Sequence, residues 1–411
     1  MKKKILIISL ISIVVIGIIA FTVFRPLYKE EKIKKEEQEL IQNATIKVTL
    51  KTNTTISFME DVHVSSFIEN INGEIIDDYK INTAKLGPQT IKFKYINEEN
   101  ITIPYKYTIN VIDNIAPEIW LSDTKSITVG TSYEDMMEKI TCADNLDDNP
   151  KCEIIGNYDL NKVGKYKLKY KATDSFNNTT EKDFTLNVYE PTSEESTSTK
   201  REPWLLSSII NDYKKDNTKI GIDVSSWQGD IDFERVKEAG VEFAFIRVGS
   251  TKGINAEYFV DKKFEQNIKG FNEVGIPVGV YFYSYANSKE SAIKDAEWVL
   301  EQIKDYKVEL GVAYDWENWS FFNNFHQSYY STTMNAKAFL DRVAKEGYKG
   351  LLYSSKNYLE KVWYPLDDYD VWLAHYTKET SYSGKYKYWQ LASNGKVPGI
   401  NGFVDMNIMY E

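Results

Sequence analysis

The pattern of apolar and polar positions changes character several times along the chain. Met1-Lys2-Lys3-Lys4 leads into Ile5 to Phe24, an apolar run without a charge. About twenty such residues are enough to cross a bilayer as a helix. The run has no small-x-small cleavage site, so residues 1–27 are expected to be an uncleaved transmembrane signal anchor. Basic residues stand on both sides of it, at Lys2–Lys4 and from Arg25 to Lys35, and do not decide its orientation. Residues 28–43 are charged and helix-prone with no apolar face wide enough for a core, which predicts an exposed stalk helix.

From 44 to 190 the period drops to two. Ile46–Leu50, Thr90–Tyr95 and Tyr107–Val111 alternate polar and apolar residues, as half-buried strands do. The pattern then recurs. Gly87 and Gly164 stand 77 residues apart, and so do Val111 and Val188. Equal offsets at separated places indicate a tandem repeat. Two small β-sandwiches are therefore expected, at 44–113 and 114–190, with Pro117 opening the second. Residues 191–216 begin with a Ser/Thr/Glu-rich stretch that has no hydrophobic pattern, and predict a flexible linker.

From 217 to 411 strand-like runs alternate with helix-length amphipathic stretches, the texture of an α/β domain with parallel strands. Eight strands are expected: Lys219–Val224, Phe243–Gly249, Pro277–Tyr283, Gly311–Trp316, Gly350–Ser354, Asp370–Ala374, Tyr386–Leu391 and Gly402–Ile408. Helices fill about 232–239, 260–274, 288–304 and 332–346, and the later gaps are too short for long ones. The fold class is thus multidomain: a membrane helix, two all-β sandwiches, and a modified β/α, TIM-like barrel.

Composition narrows the chemistry. A net charge of -10 argues against nucleic acid as a partner, because phosphate binding needs a basic surface. The histidines are His63, His326 and His375, too few and too scattered for a zinc hydrolase site. Cys142 and Cys152 lie far from the last domain, which removes a Cys-His nucleophile there. They are either bridged, which requires an oxidising location, or free thiols. Asp144, Asp147 and Asp148 lack EF-hand spacing and read as a plain acidic loop rather than a calcium site. No metal or cofactor is expected.

Carboxylates remain. Asp315 and Glu317 stand two positions apart at the end of an apolar strand, so they face the same way. Repulsion between them tends to raise one pKa and leave the other group ionised, which is the raw material of glycoside hydrolysis. An Asp-x-Glu at a strand end is also, more commonly, a solvated loop mouth. In a barrel the chemistry lies at the C-terminal ends of the strands. There the pattern also places Asp223 and Asp405, with Tyr281, Tyr283 and Tyr285 on one side of the third strand.

The ordered segments Gly221-Ile-Asp-Val-Ser-Ser-Trp-Gln-Gly229, Gly275-Ile-Pro-Val-Gly-Val-Tyr-Phe-Tyr-Ser-Tyr-Ala286, Tyr314-Asp-Trp-Glu317, Tyr388-Trp-Gln390 and Val404-Asp-Met-Asn407 resemble glycoside hydrolase family 25, the Chalaropsis-type N-acetylmuramidases. The second repeat resembles bacterial immunoglobulin-like surface repeats, and the first fits that pattern loosely. The family resemblance implies a lysozyme acting on bacterial peptidoglycan, at the β-1,4 bond between N-acetylmuramic acid and N-acetylglucosamine. It implies Glu317 as general acid and Asp315 as nucleophile or as the group that orients the substrate's N-acetyl group. Asp223 and Asp405 become flanking acids, Tyr281 and Tyr283 line the sugar site, and Trp389 forms an apolar platform. For the aromatic residues the alternative is core packing. Tyr281-Phe282-Tyr283 departs from the family's common Tyr-His-Phe form, which leaves the acids untouched. The expected setting is the cell membrane, crossed once, with the catalytic domain outside the cytoplasm. The competing reading is a surface-anchored glycan-binding or adhesin protein without catalysis.

Overall fold

The computed structural model describes residues 25–138, 140–191, 202–317 and 320–411. The expected membrane anchor, Ile5 to Phe24, lies outside the described residues. Among those described, no helix is long and apolar enough to cross a membrane. Two compact units divide the chain, one ending at Asn114 and the other spanning Ile115–Glu411.

The first unit opens with helix α1 (Arg25–Asn43), exposed along nearly all its described length. Its strands are β1 (Val48–Leu50), β2 (Thr55–Ser57), β3 (Ile68–Ile71), β4 (Gly73–Ile75), β5 (Gly87–Asn97) and β6 (Thr102–Ile112). They form a sheet of order β2-β6-β5-β4 and a separate β1-β3 pair. Ile91, Phe93 and Tyr95 of β5 face Ile103, Tyr107, Ile109 and Val111 of β6 in the core. The buried Tyr107 hydroxyl donates to Val64 O at 2.7 Å, so its polar end is satisfied.

The second unit repeats this arrangement before the α/β domain begins. Its sandwich contains β7 (Glu118–Trp120), β8 (Thr124–Thr128), α2 (Tyr133–Met137), β9 (Thr141–Ala143), β10 (Lys151–Ile155), β11 (Gly164–Thr173) and β12 (Thr179–Tyr189). The sheet order β10-β11-β12-β8 with a β7-β9 pair matches the first unit strand for strand.

The α/β domain starts earlier than its hydrophobic pattern suggests. Residues 204–213, read from composition as linker, are folded. Strand β13 (Trp204–Leu205) pairs with a later strand, and helix α3 (Leu206–Tyr213) buries Leu206 and Ile209. The acidic Ser/Thr run before them masks one short amphipathic turn. The elements that follow are β14 (Thr218–Val224), α4 (Phe233–Glu238), β15 (Phe243–Thr251), β16 (Tyr258–Val260), α5 (Phe264–Glu273), β17 (Val278–Tyr283), α6 (Lys289–Ile303) and β18 (Gly311–Asp315). After them come α7 (Ser320–Phe325), α8 (Tyr329–Lys345), β19 (Gly350–Ser355), α9 (Lys356–Lys361), β20 (Asp370–Ala374), β21 (Tyr388–Lys396) and β22 (Val404–Tyr410).

The sheet closes on itself. β14, β15, β17, β18, β19, β20 and β21 pair in parallel in that order, and β22 pairs with both β21 and β14. β22 is antiparallel to both neighbours, against the expectation of parallel strands throughout. The reason is the short return from β21, which leaves no room for the helical crossover that parallel pairing requires. Side chains alternate across the sheet. Phe243, Phe245, Ala313, Leu351, Tyr353, Trp372 and Tyr388 fill its inside. Ile222, Ala244, Ile246, Val280, Phe282, Val312 and Tyr314 face outward onto the helices.

Candidate active site

Four acids from distant parts of the chain meet at one rim of the closed sheet. Asp315 ends β18, and Ala313 two residues before it is an inward residue, so Asp315 points inside as well. Asp223 sits one residue from the end of β14. Asp405 is the second residue of β22, the wrong end for a parallel strand. Because β22 runs antiparallel, the register places Asp405 directly opposite Asp223.

Asp223 is gripped by two amides. Its Oδ2 accepts from Gln390 Nε2 at 2.8 Å and from Asn407 Nδ2 at 2.7 Å. The oxygens of both amides are engaged from behind. Trp372 Nε1, which can only donate, bonds Asn407 Oδ1 at 2.8 Å. Gln390 Oε1 accepts from Tyr353 at 2.8 Å and from Tyr376 at 3.0 Å. With the oxygens so engaged, the nitrogens are turned to the carboxylate.

Burial then decides protonation. It pushes Asp223 up to about 6, against the donors of Gln390, Asn407 and Asp405 that favour the ionised form. Asp405 is pushed up to about 9, by burial first and then by the charge of Asp223, with which it shares a hydrogen bond. Asp315, only 3% exposed, is raised well above the usual range by burial and next by the charge and hydrogen bond of Glu317. The guanidinium of Arg247 on β15 opposes that rise. Glu317, by contrast, is exposed. Its backbone oxygen accepts from Tyr358 Oη at 2.7 Å, and its side chain borders a cleft of about 510 Å³ with Tyr353, Lys356, Tyr358, His375 and Tyr376. A buried carboxyl, Asp315, and an exposed one, Glu317, thus stand side by side at the edge of the cleft.

Residues 222–400 match the family described as glycosyl hydrolases family 25. The C-terminal domain belongs to that family. Residues 119–188 match the Ig-like domain of bacterial surface proteins. The autolytic lysozyme of Clostridium acetobutylicum is 28% identical over 193 residues, which cover 46% of this chain and 56% of that protein. Lysozyme M1 of Streptomyces globisporus is 27% identical over 214 residues, 46% of this chain and 66% of its own length. The chain thus spans little more than half of the first of these relatives. A solved family 25 glycosyl hydrolase from Bacillus anthracis shares 24% identity, with a TM-score of 0.42, over 49% of this chain and 93% of its own.

Within the family 25 domain the aromatic residues divide. Tyr281 lies inside the closed sheet, near Asp223 and Asp315 and edge-on to Trp372 at 6.0 Å. Tyr283 is half-buried at the rim beside Tyr285 and Arg247. Trp389 is not at the site. It is 3% exposed, donates to His375 O at 2.9 Å, and packs edge-on against Tyr213 of α3. Gln390 must face inward to reach Asp223, so its neighbour Trp389 must face outward, and the expected sugar platform is a core residue. In the sandwich, Cys142 of β9 and Cys152 of β10 are joined in a disulfide.

The sequence pattern did not single out Arg247, Asn407, Tyr353, Tyr358 or Trp372. One signal was available for Arg247. It lies two and four residues after Phe245 and Phe243 in an apolar strand, a cation in phase with the inward face. Asn407 carries the same mark, two residues after Asp405.

Proposed function

We propose that this protein is a peptidoglycan hydrolase, an N-acetylmuramidase that cleaves the β-1,4 bond between N-acetylmuramic acid and N-acetylglucosamine. The observation that carries the reading is the convergence of Asp223, Asp315, Glu317 and Asp405 on one rim, three of them buried or partly buried and Glu317 exposed at the cleft. A glycosidic bond breaks when one carboxyl group protonates the leaving oxygen and negative charge stabilises the oxocarbenium-like centre. Glu317 is the acid, because it alone of the four stands exposed at the cleft. Asp315, raised well above the usual carboxyl range by burial, is the second acid of the pair.

The hydrogen-bond contact between Asp315 and Glu317 also bears on the second role. Carboxyls that flank a sugar from opposite sides stand about 5–9.5 Å apart. Asp315 is the attacking nucleophile or the group that orients the substrate's own N-acetyl group, and the separation of the two carboxyls in a substrate complex decides between them. Asp223 and Asp405, sharing one proton, hold a single negative charge beside the developing cation.

The modified β/α barrel is the catalytic module of this reading, and the immunoglobulin-like repeats precede it. Residues 5–24 anchor the chain in the cell membrane, with the catalytic domain outside the cytoplasm facing the wall. Two relatives, an autolytic lysozyme and lysozyme M1, carry names that agree with the activity. No carboxyl is missing from the rim, so a purely glycan-binding protein finds no support.

The test is turbidity clearing of purified cell walls by the full chain and by Glu317→Gln, with mass analysis of the released sugar ends. The wild type clears the suspension and leaves N-acetylmuramic acid at the reducing ends. Glu317→Gln stays folded and clears nothing. Undiminished clearing by the variant removes Glu317 from the acid role, and reducing N-acetylglucosamine ends would reassign the bond.

A further inference from the structure

The edge of the second sandwich is built into the α/β domain. Helix α8 begins with amide groups that have no partner inside the helix. Tyr329 N donates to Asp144 O at 2.9 Å and Tyr330 N to Asn145 O at 3.0 Å, both in the sandwich loop that the Cys142–Cys152 bridge closes. Asp148 of the same loop accepts from the N and Oγ of Ser328, each at 2.7 Å, and so places a carboxylate at the helix start. Tyr329 itself is buried, and its hydroxyl donates to Glu118 Oε2 at 2.9 Å and accepts from Trp120 Nε1 at 3.1 Å.

Two lines of packing run from this edge to the acid pair. Tyr329 packs on Phe322 at 5.2 Å, and Phe322 packs on Trp316 at 5.0 Å. Trp316 is the residue between Asp315 and Glu317 and is fully buried. The second line starts at Lys361, whose ammonium lies 4.5 Å from the Trp120 ring centre and 3.8 Å from Glu118 Oε1. Lys361 ends α9, and Tyr358 of the same helix holds the backbone oxygen of Glu317.

We infer that the second sandwich is a working part of the catalytic domain: Glu118, Trp120 and Asp148 are positioning residues that set the geometry of Asp315 and Glu317 through Tyr329 and Tyr358. The claim rests on the muramidase reading for its kinetic consequence and on the contacts alone for its structural one. A displacement of about 1 Å at reacting groups lowers a rate up to about a hundredfold.

The test uses the full chain carrying Glu118→Ala and Asp148→Ala together, with amide hydrogen exchange as a readout independent of activity. Protection of residues 322–333 should fall about tenfold. On a soluble glycan fragment of peptidoglycan, at a temperature well below unfolding, kcat should fall about tenfold with KM within twofold. The pair Glu118→Gln and Asp148→Asn keeps one acceptor oxygen at each position, for Tyr329 and for Ser328, and should restore most of the loss in both values. Unchanged exchange, or lost protection with an unchanged kcat, would overturn the inference. A wild type that leaves walls intact would instead defeat the muramidase reading, and exchange would still decide the coupling. Should the double alanine variant not fold, Tyr329→Phe, which removes only the hydroxyl, is read the same way.

Discussion

Asp405→Asn should stabilise this protein and impair it at once, and the gain should depend on pH. The carboxyl of Asp405 is raised from 3.8 to about 9 in the folded chain. Below the unfolded value it is protonated in both states and makes no difference. As pH rises past 3.8 the unfolded chain releases this proton while the folded chain keeps it, so stability falls until the folded value is reached. At neutral pH the gap is about three units, or roughly 4 kcal/mol at about 1.36 kcal/mol per unit. Asp405 is only partly buried and hydrogen-bonds Asp223, so solvent screening reduces the cost to about 2–4 kcal/mol. Asparagine keeps the shape and a donor toward Asp223 but has nothing to titrate. Thermal unfolding of the full chain, followed by tryptophan fluorescence, isolates the effect, because all 9 tryptophans lie beyond residue 115. The variant should melt about 5–10 °C above wild type at pH 7 and within about 1 °C of it at pH 4. An equal gain at both pH values, or a loss at pH 7, would refute the argument. Wall clearing should decline, as expected where function is kept at the expense of stability.

Two further outcomes separate core from site. Trp389→Ala should cost about 3–5 kcal/mol of stability, measured by denaturant, while kcat per folded molecule stays unchanged; a raised KM with intact stability would return Trp389 to the sugar site. Arg247→Met removes the one cation that draws the Asp315 pKa down. Both limbs of the pH–rate profile should then move about one unit toward higher pH, a shift readable in kcat/KM; an unmoved profile would remove Arg247 from the electrostatics of the pair.

The tandem repeat was legible because it is a register. Gly87 pairs with Val111 across the first hairpin, and Gly164 pairs with Val188 across the second. The 77-residue offset therefore marks the same rung of two equivalent ladders. The eight strands of the closed sheet were equally readable, since apolar runs bounded by turns do not depend on direction. For the same reason the pattern was silent on which way β22 runs. Alternation of period two reads the same forward and backward, and only the length of the return from β21 carries the information. The docking of the sandwich was invisible for another reason. Ser328 and Asp148 are 180 residues apart, and an acid in a loop looks the same whether it faces water or caps a distant helix.

The site poses one physical problem, which its geometry resolves. Four acids at one rim repel, and burying them without partners costs several kcal/mol each. The chain meets this unevenly. Asp223 is given two amide donors from β21 and β22, whose oxygens are engaged from behind by Tyr353 and by the donor-only indole of Trp372. Asp405 receives no such pair and keeps its proton instead. Asp315 is buried and its carboxyl is raised well above the usual range, while its neighbour Glu317 is left exposed. Position along the chain shows two equivalent acids two residues apart, but burial makes them different. The one that ends the strand is enclosed, and the one just past it, where the sheet has stopped, is the one that a substrate in the cleft can reach.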